Sequence, residues 1–474
     1  MRDLVDAQTW KSSEFNVAVT SFFGDEILSF NTRTGAFQAW NKADWADVER
    51  ALDAPETLRQ GPLVSLLANL GMIVPVEREE RAEMEQAYLR SKSTRTGTML
   101  TITTTISCNF GCSYCFQSHS KEKMKQADGD AILRFLDRTL APDSYLSITW
   151  FGGEPLMNFD FIDDLTPKLL ALTKERNCSY HPSIITNGYL LDERVLDRMR
   201  VLPPMSYIQI TLDGGQASHD TRRILLSGRG TYARILDNIE RAAGLAPIHI
   251  RVNVDSTNMD QLTDLADDYF ARGLDKKNVH IYLAHTRAYT EHSDGLDSTE
   301  LSKADYANLS MQFEWYLFQR GYQGGLSLPS AKGGSLCTAD TEGSYVMSPA
   351  GRIFKCWNDA ANTDSAEFAG RLNPDGTLDV AQDNLRHWED HNPYQYAECQ
   401  SCKVQPLCKG GCPWEAKKRE HLDIGDCSVL KWTLPDKLRL YRMKQVLAEM
   451  RPADAAQPPR TSEPHGALEF ACPD

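Results

Sequence analysis

The chain has 474 residues, with 51 Lys and Arg against 65 Asp and Glu for a formal net charge of -14, and 12 cysteines. That acidic balance argues against a duplex-DNA or anionic-membrane partner, since both demand basic patches. The length suits two to four domains. The start "MRDLVDAQTWKSSEF" lacks an apolar signal core and no apolar run reaches a membrane span, so the expected compartment is cytoplasmic.

In chain order, residues 14 to 75 read as a small unit. "FNVAVTSF", "EILSFN" and "AFQAWN" are strand candidates, the last two joined by the turn signal "TRTG". Helical stretches "KADWADVERALDA" and "GPLVSLLANLGMIV" follow, and "EREERAEMEQAYLRSKSTR" reads as a helical connector ending in a linker. From residue 98 to 322 the pattern alternates regularly. Strands "MLTITTTIS", "YLSITWFGG", "PSIITNG", "YIQITLDGG", "IHIRVNVD" and "VHIYLAHT" are separated by helices such as "DAILRFLDRTL", "DERVLDRMRV", "TYARILDNIERAA" and "MDQLTDLADDYFARG". "DYANLSMQFEWYLFQRGY" closes the series. Alternation of this kind predicts an α/β fold with a parallel sheet, either an open barrel or a doubly wound sheet, with chemistry at the carboxyl ends of the strands. Residues 330–430 are rich in Cys and Gly, and 431–474 read as a helix followed by a mobile Pro- and Ala-rich tail.

Twelve cysteines in a reducing compartment are not expected to be a disulfide framework. They cluster, as metal ligands do. "SCNFGCSYC" places Cys108, Cys112 and Cys115 directly behind the first barrel strand. Structural zinc needs four ligands, and no fourth Cys or His lies at finger spacing; His119 reads as a surface histidine. Three thiolates suit a [4Fe–4S] cluster with one iron left for an exogenous ligand.

The spacing Cys-x3-Cys-x2-Cys, with the aromatic Tyr114 before the last cysteine, resembles the radical S-adenosylmethionine (SAM) superfamily. That resemblance implies a partial (β/α)6 TIM-like barrel. It also implies that SAM chelates the free iron, and that its reductive cleavage yields a 5′-deoxyadenosyl radical that abstracts hydrogen. Three further stretches carry the resemblance. "FGGEP" (Gly152, Gly153, Glu154, Pro155) is similar to the motif that receives the SAM amino group. "SIITNG" is similar to the loop that touches ribose and carboxylate, through Ser183 and Asn187. "TLDGGQASHDTRR" is similar to the fourth-strand motif, with Asp213 and Arg222 or Arg223 facing cofactor or substrate, and "RVNVDSTN" to the fifth, near the adenine. Cys178 has no partner in sequence and reads as a buried core thiol.

A second field holds Cys337, Cys356, Cys399, Cys402, Cys408, Cys412 and Cys427, with Gly351 five positions before Cys356. Four of these suit one structural zinc, but seven in this order resemble the SPASM domain, a C-terminal extension with two auxiliary [4Fe–4S] clusters. The resemblance implies that Cys399, Cys402, Cys408 and Cys427 hold the distal cluster and Cys337, Cys356 and Cys412 the proximal one, for three clusters in all. The proximal set lacks a cysteine found in fully ligated members, which implies an open iron; Cys178 and Cys472 are the spare thiols.

SPASM enzymes mostly modify peptides and proteins. In the anaerobic sulfatase maturases an Asp follows the cysteine of "GxxxxC"; here that position is Trp357, with Asp359 close. Residues 1–90, three strands followed by helices, resemble the winged-helix-like recognition element of ribosomal-peptide-maturing enzymes, which adds a leader peptide as a further strand. A structural cap on the barrel is the plain alternative. The expectation is therefore a maturase of a ribosomally made precursor peptide that forms a thioether or C–C crosslink, supplied with electrons by a flavodoxin- or ferredoxin-type reductant. A sulfatase-maturase-like enzyme acting on a folded protein and a non-catalytic electron-transfer protein are the alternatives; the SAM motifs have no use in the latter.

Overall fold

The computed structural model describes residues 8–93, 97–288, 298–322, 324, 327–331, 337–360, 368–418 and 427–449. The chain gathers into two compact units, one of Met1–Ser91, Lys303–Leu336 and Asn392–Asp474, the other of Lys92–Ser302 and Cys337–His391. Among the described residues no helix is long and apolar enough to cross a membrane.

The first unit begins with strands β1 (Trp10–Ser12), β2 (Asn16–Thr20), β3 (Glu26–Asn31) and β4 (Ala36–Asn41), then helices α1 (Lys42–Asp53) and α2 (Pro62–Leu70), strand β5 (Ile73–Pro75) and helix α3 (Glu80–Ser93). The three strands expected in this region are present as the antiparallel sheet β2-β3-β4. Period-2 alternation gives that sheet two apolar faces. Leu28 and Phe30 pack with Leu407 and with Leu434 and Leu438 of the helix Leu430–Glu449. On the other face Trp40 packs with Val48 of α1 and Val64 and Leu67 of α2, its indole N–H donating to Ser29 Oγ at 2.8 Å.

The leucine spacing of "GPLVSLLANLGMIV" extends the expected helix through Val74, but α2 stops at Leu70. Gly71 caps it in a left-handed conformation (φ 73), and a Cβ there would sit 2.5 Å from Thr34 Cγ2. The chain then pairs Ile73–Pro75 antiparallel with Trp10–Ser12, a two-stranded sheet absent from the sequence expectation.

The second unit is built on β6 (Thr98–Thr105), β7 (Tyr145–Gly152), β8 (Ser179–Thr186), β9 (Tyr207–Thr211), β10 (Ile248–Val254) and β11 (Val279–His285). Helices α4 (Gln126–Thr139), α5 (Phe159–Glu175), α6 (Glu193–Val201), α7 (Gln216–Arg222), α8 (Tyr232–Ala242) and α9 (Leu262–Ala271) connect them. All six strands are parallel and lie in sequence order, so there is no switch point and the doubly wound alternative falls away. Residues such as Ile148, Ile184, Ile208 and Ile250 are fully buried on the helix side, each burial contributing about 1.5–3 kcal/mol. Their neighbours along each strand line a concave inner face that is largely polar.

The sheet continues past β6. Strand β12 (Tyr345–Ser348) pairs with β6 in parallel, and β13 (Arg352–Phe354), β14 (Gly370–Leu372) and β15 (Leu378–Val380) extend it antiparallel to ten strands. The division of the chain therefore departs from the expected boundaries. Residues 337–391 join the barrel unit because the free edge of β6 offers β12 a partner. The helix Lys303–Gln319, expected to close the barrel, and the cysteine-rich residues from 392 onward belong to the first unit. The expected mobile tail with Cys472 lies outside the described residues.

Candidate active site: a cysteine loop clamped by the loops of neighbouring strands

The loop after β6 carries Cys108, Cys112 and Cys115, all half-buried and none in a disulfide. Its base is closed by two backbone bonds, Ile106 N–H to Glu122 O (2.9 Å) and Met124 N–H to Thr104 O (2.8 Å). Its tip is zipped to the segment after α7. Gly111 N–H donates to Ile224 O (2.9 Å), Ser113 N–H to Arg222 O (3.2 Å) and Leu226 N–H to Asn109 O (3.0 Å).

The loop after β7 locks the same segment from the side. Gly153 N–H donates to Thr105 O and Glu154 N–H to Ser107 O, both at 2.9 Å. A Cβ on Gly152 (φ 131) would run into Thr105 O, and one on Gly153 into Ser107 O. The glycines of "FGGEP" are thus required by the approach of one loop to another, whereas the motif alone suggests approach of a ligand. Pro155 is buried just behind them.

Glu154 is fully buried. Its carboxylate accepts from Leu156 N–H (2.9 Å), Thr186 Oγ1–H (2.7 Å) and Asn187 N–H (2.7 Å). Burial pushes its pKa up, and these three donors with the charge of Arg223 pull it back. Asn187 donates from Nδ2 to Asn109 Oδ1 at 2.8 Å, with Cys108 Sγ 3.9 Å away. Ser183 lies in the strand part of "PSIITNG", ahead of the loop that carries Asn187. It sits within β8, its hydroxyl 3.1 Å from Thr149 Oγ1 and donating to Ile148 O at 3.3 Å.

Tyr114 is the hub of the third side. Its hydroxyl donates to Asp213 and accepts from Arg223 Nη1 (2.5 Å) and Asn253 Nδ2 (3.0 Å). The two candidate arginines differ in kind. Arg222 is a fork onto Asp255 (3.0 and 2.8 Å) with Thr257 Oγ1 at 2.6 Å, and its guanidinium lies 5.0 Å over the Tyr114 ring. Arg223 is equally buried but has the Tyr114 hydroxyl in place of a carboxylate as its acceptor; the Nε of each arginine is without a hydrogen-bond partner among the described residues. Asp213 is fully buried. Burial raises its pKa, opposed by Arg223 and Arg222. Behind it His219 accepts from Asp213 N–H at Nδ1 (3.2 Å). The proton therefore sits on Nε2, facing Thr231 Oγ1 at 3.0 Å, and the ring is neutral. Burial and both arginines hold its pKa well below the usual histidine value.

Burial pushes the Cys108 thiol up to about 12 and that of Cys112 to about 11; the charge of Arg223 opposes this at Cys112. Each thiolate also raises its neighbours, so the three sulfurs lie within electrostatic reach of one another. Among the described residues no three His, Cys, Asp or Glu side chains are gathered to hold a single metal ion. A four-iron cluster does not need that, because it places each thiolate on a different iron. The donor set fits a cluster in a second respect. Phe110 N–H points at Cys108 Sγ (3.4 Å), a bond that favours thiolate over thiol, and the Gln117 backbone N–H opposes the upward push of burial on Cys115. His119, expected from sequence to be a surface histidine, is exposed but lies 3.6 Å from Cys115 Sγ. Cys178 is half-buried, 3.2 Å from Ala141 O, at the amino end of β8 and so away from the carboxyl end that carries Asn187.

In the first unit Cys399, Cys402, Cys408 and Cys427 fall within electrostatic reach of one another, burial lifting Cys399 to about 12 and Cys408 to about 11. Lys409, Gly410 and Gly411 all take positive φ (49, 79 and 82), and in that left-handed turn Gly411 N–H donates to Cys408 O at 3.0 Å while the backbone N–H groups of Gly410 and Gly411 oppose the upward push of burial on the Cys408 thiol. Cys412 has different neighbours, Glu415 and Lys303, which pair with each other at 2.8 Å. Cys337 and Cys356 belong to the second unit. There the buried Lys355 amine donates to Thr341 O (2.6 Å) and Ser344 O (2.9 Å).

A family model, the Radical SAM superfamily, matches residues 102–269. The cysteine-type anaerobic sulfatase-maturating enzyme of Clostridium perfringens (strain 13 / Type A) is 24% identical over 350 residues, covering 67% of this chain and 89% of that one. The radical SAM cyclopropyl synthase TigE of Paramaledivibacter caminithermalis is 22% identical over 376 residues, 68% of this chain and 70% of that one. Of the GTP 3',8-cyclase of a Cyanothece species, 28% identical over 166 residues and matched by 34% of this chain, the chain spans 48%, and of two uncharacterized proteins 35% and 37%. Among solved structures, histidine-tagged anSMEcpe with bound AdoMet aligns with a TM-score of 0.56 at 18% identity, over 76% of this chain and 97% of that one. Streptococcus suis SuiB bound to precursor peptide SuiA aligns at 0.50 and 15% identity, over 89% and 99%. At these identities the structural likeness is one of fold.

Proposed function

We propose that the chain, whose residues 102–269 match the Radical SAM superfamily model, is a radical SAM enzyme that matures a peptide, abstracting hydrogen from a side chain of a ribosomally made precursor to form a thioether or C–C crosslink. The observation that carries this reading is the clamped cysteine loop, held by backbone bonds to loops following other strands of the barrel unit. Bound there, a [4Fe–4S] cluster supplies the electron and SAM the hydrogen-abstracting radical. The chain's own residues hold and aim these groups. Cys108, Cys112 and Cys115 would hold the cluster, Tyr114 and the buried arginines would set the charge beside it, and Glu154 and Asn187 fix the neighbouring loops that would receive SAM.

Cys399, Cys402, Cys408 and Cys427 hold an auxiliary cluster in this reading, supported by the upward push that Cys408, Cys402 and Cys427 exert on the Cys399 thiol. The count of three clusters, the proximal set of Cys337, Cys356 and Cys412, and the SPASM assignment rest on the sequence. A peptide as partner is supported by the fold shared with SuiB, whose structure contains its precursor peptide. The β2-β3-β4 sheet followed by α1 and α2 supports a leader-binding role for the N-terminal region.

Sulfatase-type maturation is the second reading, favoured by the 89% span of the Clostridium relative. Against it stands Trp357. Its indole N–H donates to Thr101 Oγ1 at 2.9 Å and its ring packs on Phe151 at 5.1 Å, so the position after Cys356 offers no carboxylate. Co-expression with short peptides encoded beside this chain, followed by mass spectrometry, separates the readings. Loss of a hydrogen pair with two side chains joined in the fragment spectra and no carbonyl reactive to hydrazide supports crosslinking; a hydrazide-reactive aldehyde in place of a thiol or hydroxyl supports the second.

A further inference from the structure

The inner face of the six parallel strands has a charge character that the functional reading leaves unused. Strand pairing puts Tyr207, Gln209 and Thr211 of β9, His249, Arg251 and Asn253 of β10, and His280 and Tyr282 of β11 on that face. None of the inward positions of β6–β11 is Asp or Glu, in a chain whose formal net charge is -14. Arg251 sits mid-strand, directly across from Tyr282 on one side and Thr211 on the other. It has no ion-pair partner among the described residues.

The polar groups around Arg251 are arranged so that acceptors are consumed and donors left over. Asn253 Oδ1 accepts from Arg251 Nε at 2.8 Å. The Tyr282 hydroxyl donates to Gln209 Oε1 at 2.9 Å, and the charge of Arg251 acts on it against the upward push of burial. Beyond the Nε bond to Asn253, the Arg251 guanidinium and the Gln209 amide N–H groups have no acceptor among the described residues, and both side chains share a face of the sheet with Tyr282, which is 38% exposed. A guanidinium fork beside an amide donor is complementary to a carboxylate. The site is also coupled in space to the chemistry. Asn253 donates to the Tyr114 hydroxyl at 3.0 Å, one residue from Cys115, and Arg251 lies two residues back along the strand, about 7 Å.

We propose that Arg251, with Gln209 and Tyr282, is a carboxylate-recognition subsite on the inner face of the barrel. It selects a peptide with an Asp, a Glu or a terminal carboxylate near the residue to be modified. This rests on the peptide-maturase reading and deepens it by naming the chemistry of the substrate. Arg251 is a specificity residue, not a catalytic one.

The test uses full-length protein with its clusters loaded, immobilised, and exposed to randomised decapeptide pools whose central residue is fixed as Asp, Glu, Asn or Gln. Mass spectrometry reads the retained peptides. The expected result is retention of the Asp and Glu pools roughly tenfold over their amides, since charge-assisted bonds are about twice as strong as neutral ones. Arg251→Gln should remove that preference and Arg251→Lys should keep part of it, both at wild-type iron content. Equal retention of all pools by wild type overturns the proposal, as does a preference that survives Arg251→Gln. A tenfold loss of SAM affinity in Arg251→Gln with the peptide preference unchanged also overturns it, assigning the arginine to the carboxylate of SAM. The two levels fail separately. A cognate peptide modified without any nearby carboxylate removes the subsite and keeps the maturase, and an acidic preference with no modified product does the reverse.

Discussion

The backbone N–H of Asn187 donates to the Glu154 carboxylate at 2.7 Å, and that bond ties the loop after the third barrel strand to the loop after the second. The same carboxylate holds Thr186 and Leu156. Glu154→Ala strands two buried N–H groups and a hydroxyl, and is expected to cost about 3 kcal/mol in urea denaturation of the cluster-free protein. Glu154→Gln, which keeps one acceptor oxygen, is expected to cost about half that, and both should weaken SAM binding. A loss under about 1 kcal/mol for the alanine variant would show the carboxylate to be free for a ligand.

Gly153 makes the matching prediction for the backbone. Because its missing Cβ makes room for Ser107 O, Gly153→Ala should displace the cysteine loop before any cofactor binds. Thermal denaturation without iron should show the destabilisation, and reconstitution should then deliver about one cluster fewer than wild type. Normal apo stability with lost SAM affinity would return the glycine to a ligand-approach role.

Tyr114→Phe keeps the ring beneath Arg222 but removes the hydroxyl shared by Asp213, Arg223 and Asn253. Two buried charges lose a partner, so a destabilisation of about 1–3 kcal/mol is expected, with a fall in SAM affinity. Equilibrium denaturation and SAM titration of the variant check both; unchanged stability would mean that the hydroxyl is idle.

His219 gives a pH dependence with a definite sign. Its folded pKa is depressed below 6.5 by burial and by Arg223 and Arg222, while the unfolded side chain titrates near 6.5. Above that pH both states are neutral and the folded arrangement is at full strength. As pH falls through the unfolded value the unfolded chain takes up a proton that the folded one refuses, so stability declines, by at most about 1.4 kcal/mol per pH unit. Urea denaturation at pH 7.5 and 5.5 should show the decline, and His219→Gln should reduce it. An identical decline in the variant would place the dependence elsewhere.

The barrel was legible because its strands alternate cleanly. In "IHIRVNV" the apolar positions Ile248, Ile250, Val252 and Val254 are all buried against helices, and the polar ones face inward. The cysteine loop and the strand-end motifs followed from that order. Three-residue strands such as Trp10–Ser12 were not legible, since so short a run carries no period. Nor was the choice between Arg222 and Arg223. Adjacent residues at the end of a helix point in different directions, and only the positions of Asp255 and Tyr114 show which guanidinium has a carboxylate partner and which a hydroxyl. Ser183 and Asn187 lie on one motif in sequence, yet the first is inside the strand and the second past its end. Strand β12 joining β6 depends on an edge that no local pattern announces.

The central claim is that the loop of Cys108, Cys112 and Cys115 holds a cluster that cleaves SAM. Anaerobic reconstitution of wild type and of the Cys108/Cys112/Cys115→Ala triple variant, with iron counted and 5′-deoxyadenosine measured after reduction, tests it directly. The expected outcome is close to twelve irons in wild type, about four fewer in the variant, and no 5′-deoxyadenosine from the variant. A triple variant that still releases 5′-deoxyadenosine, or that binds as much iron as wild type, would contradict the account.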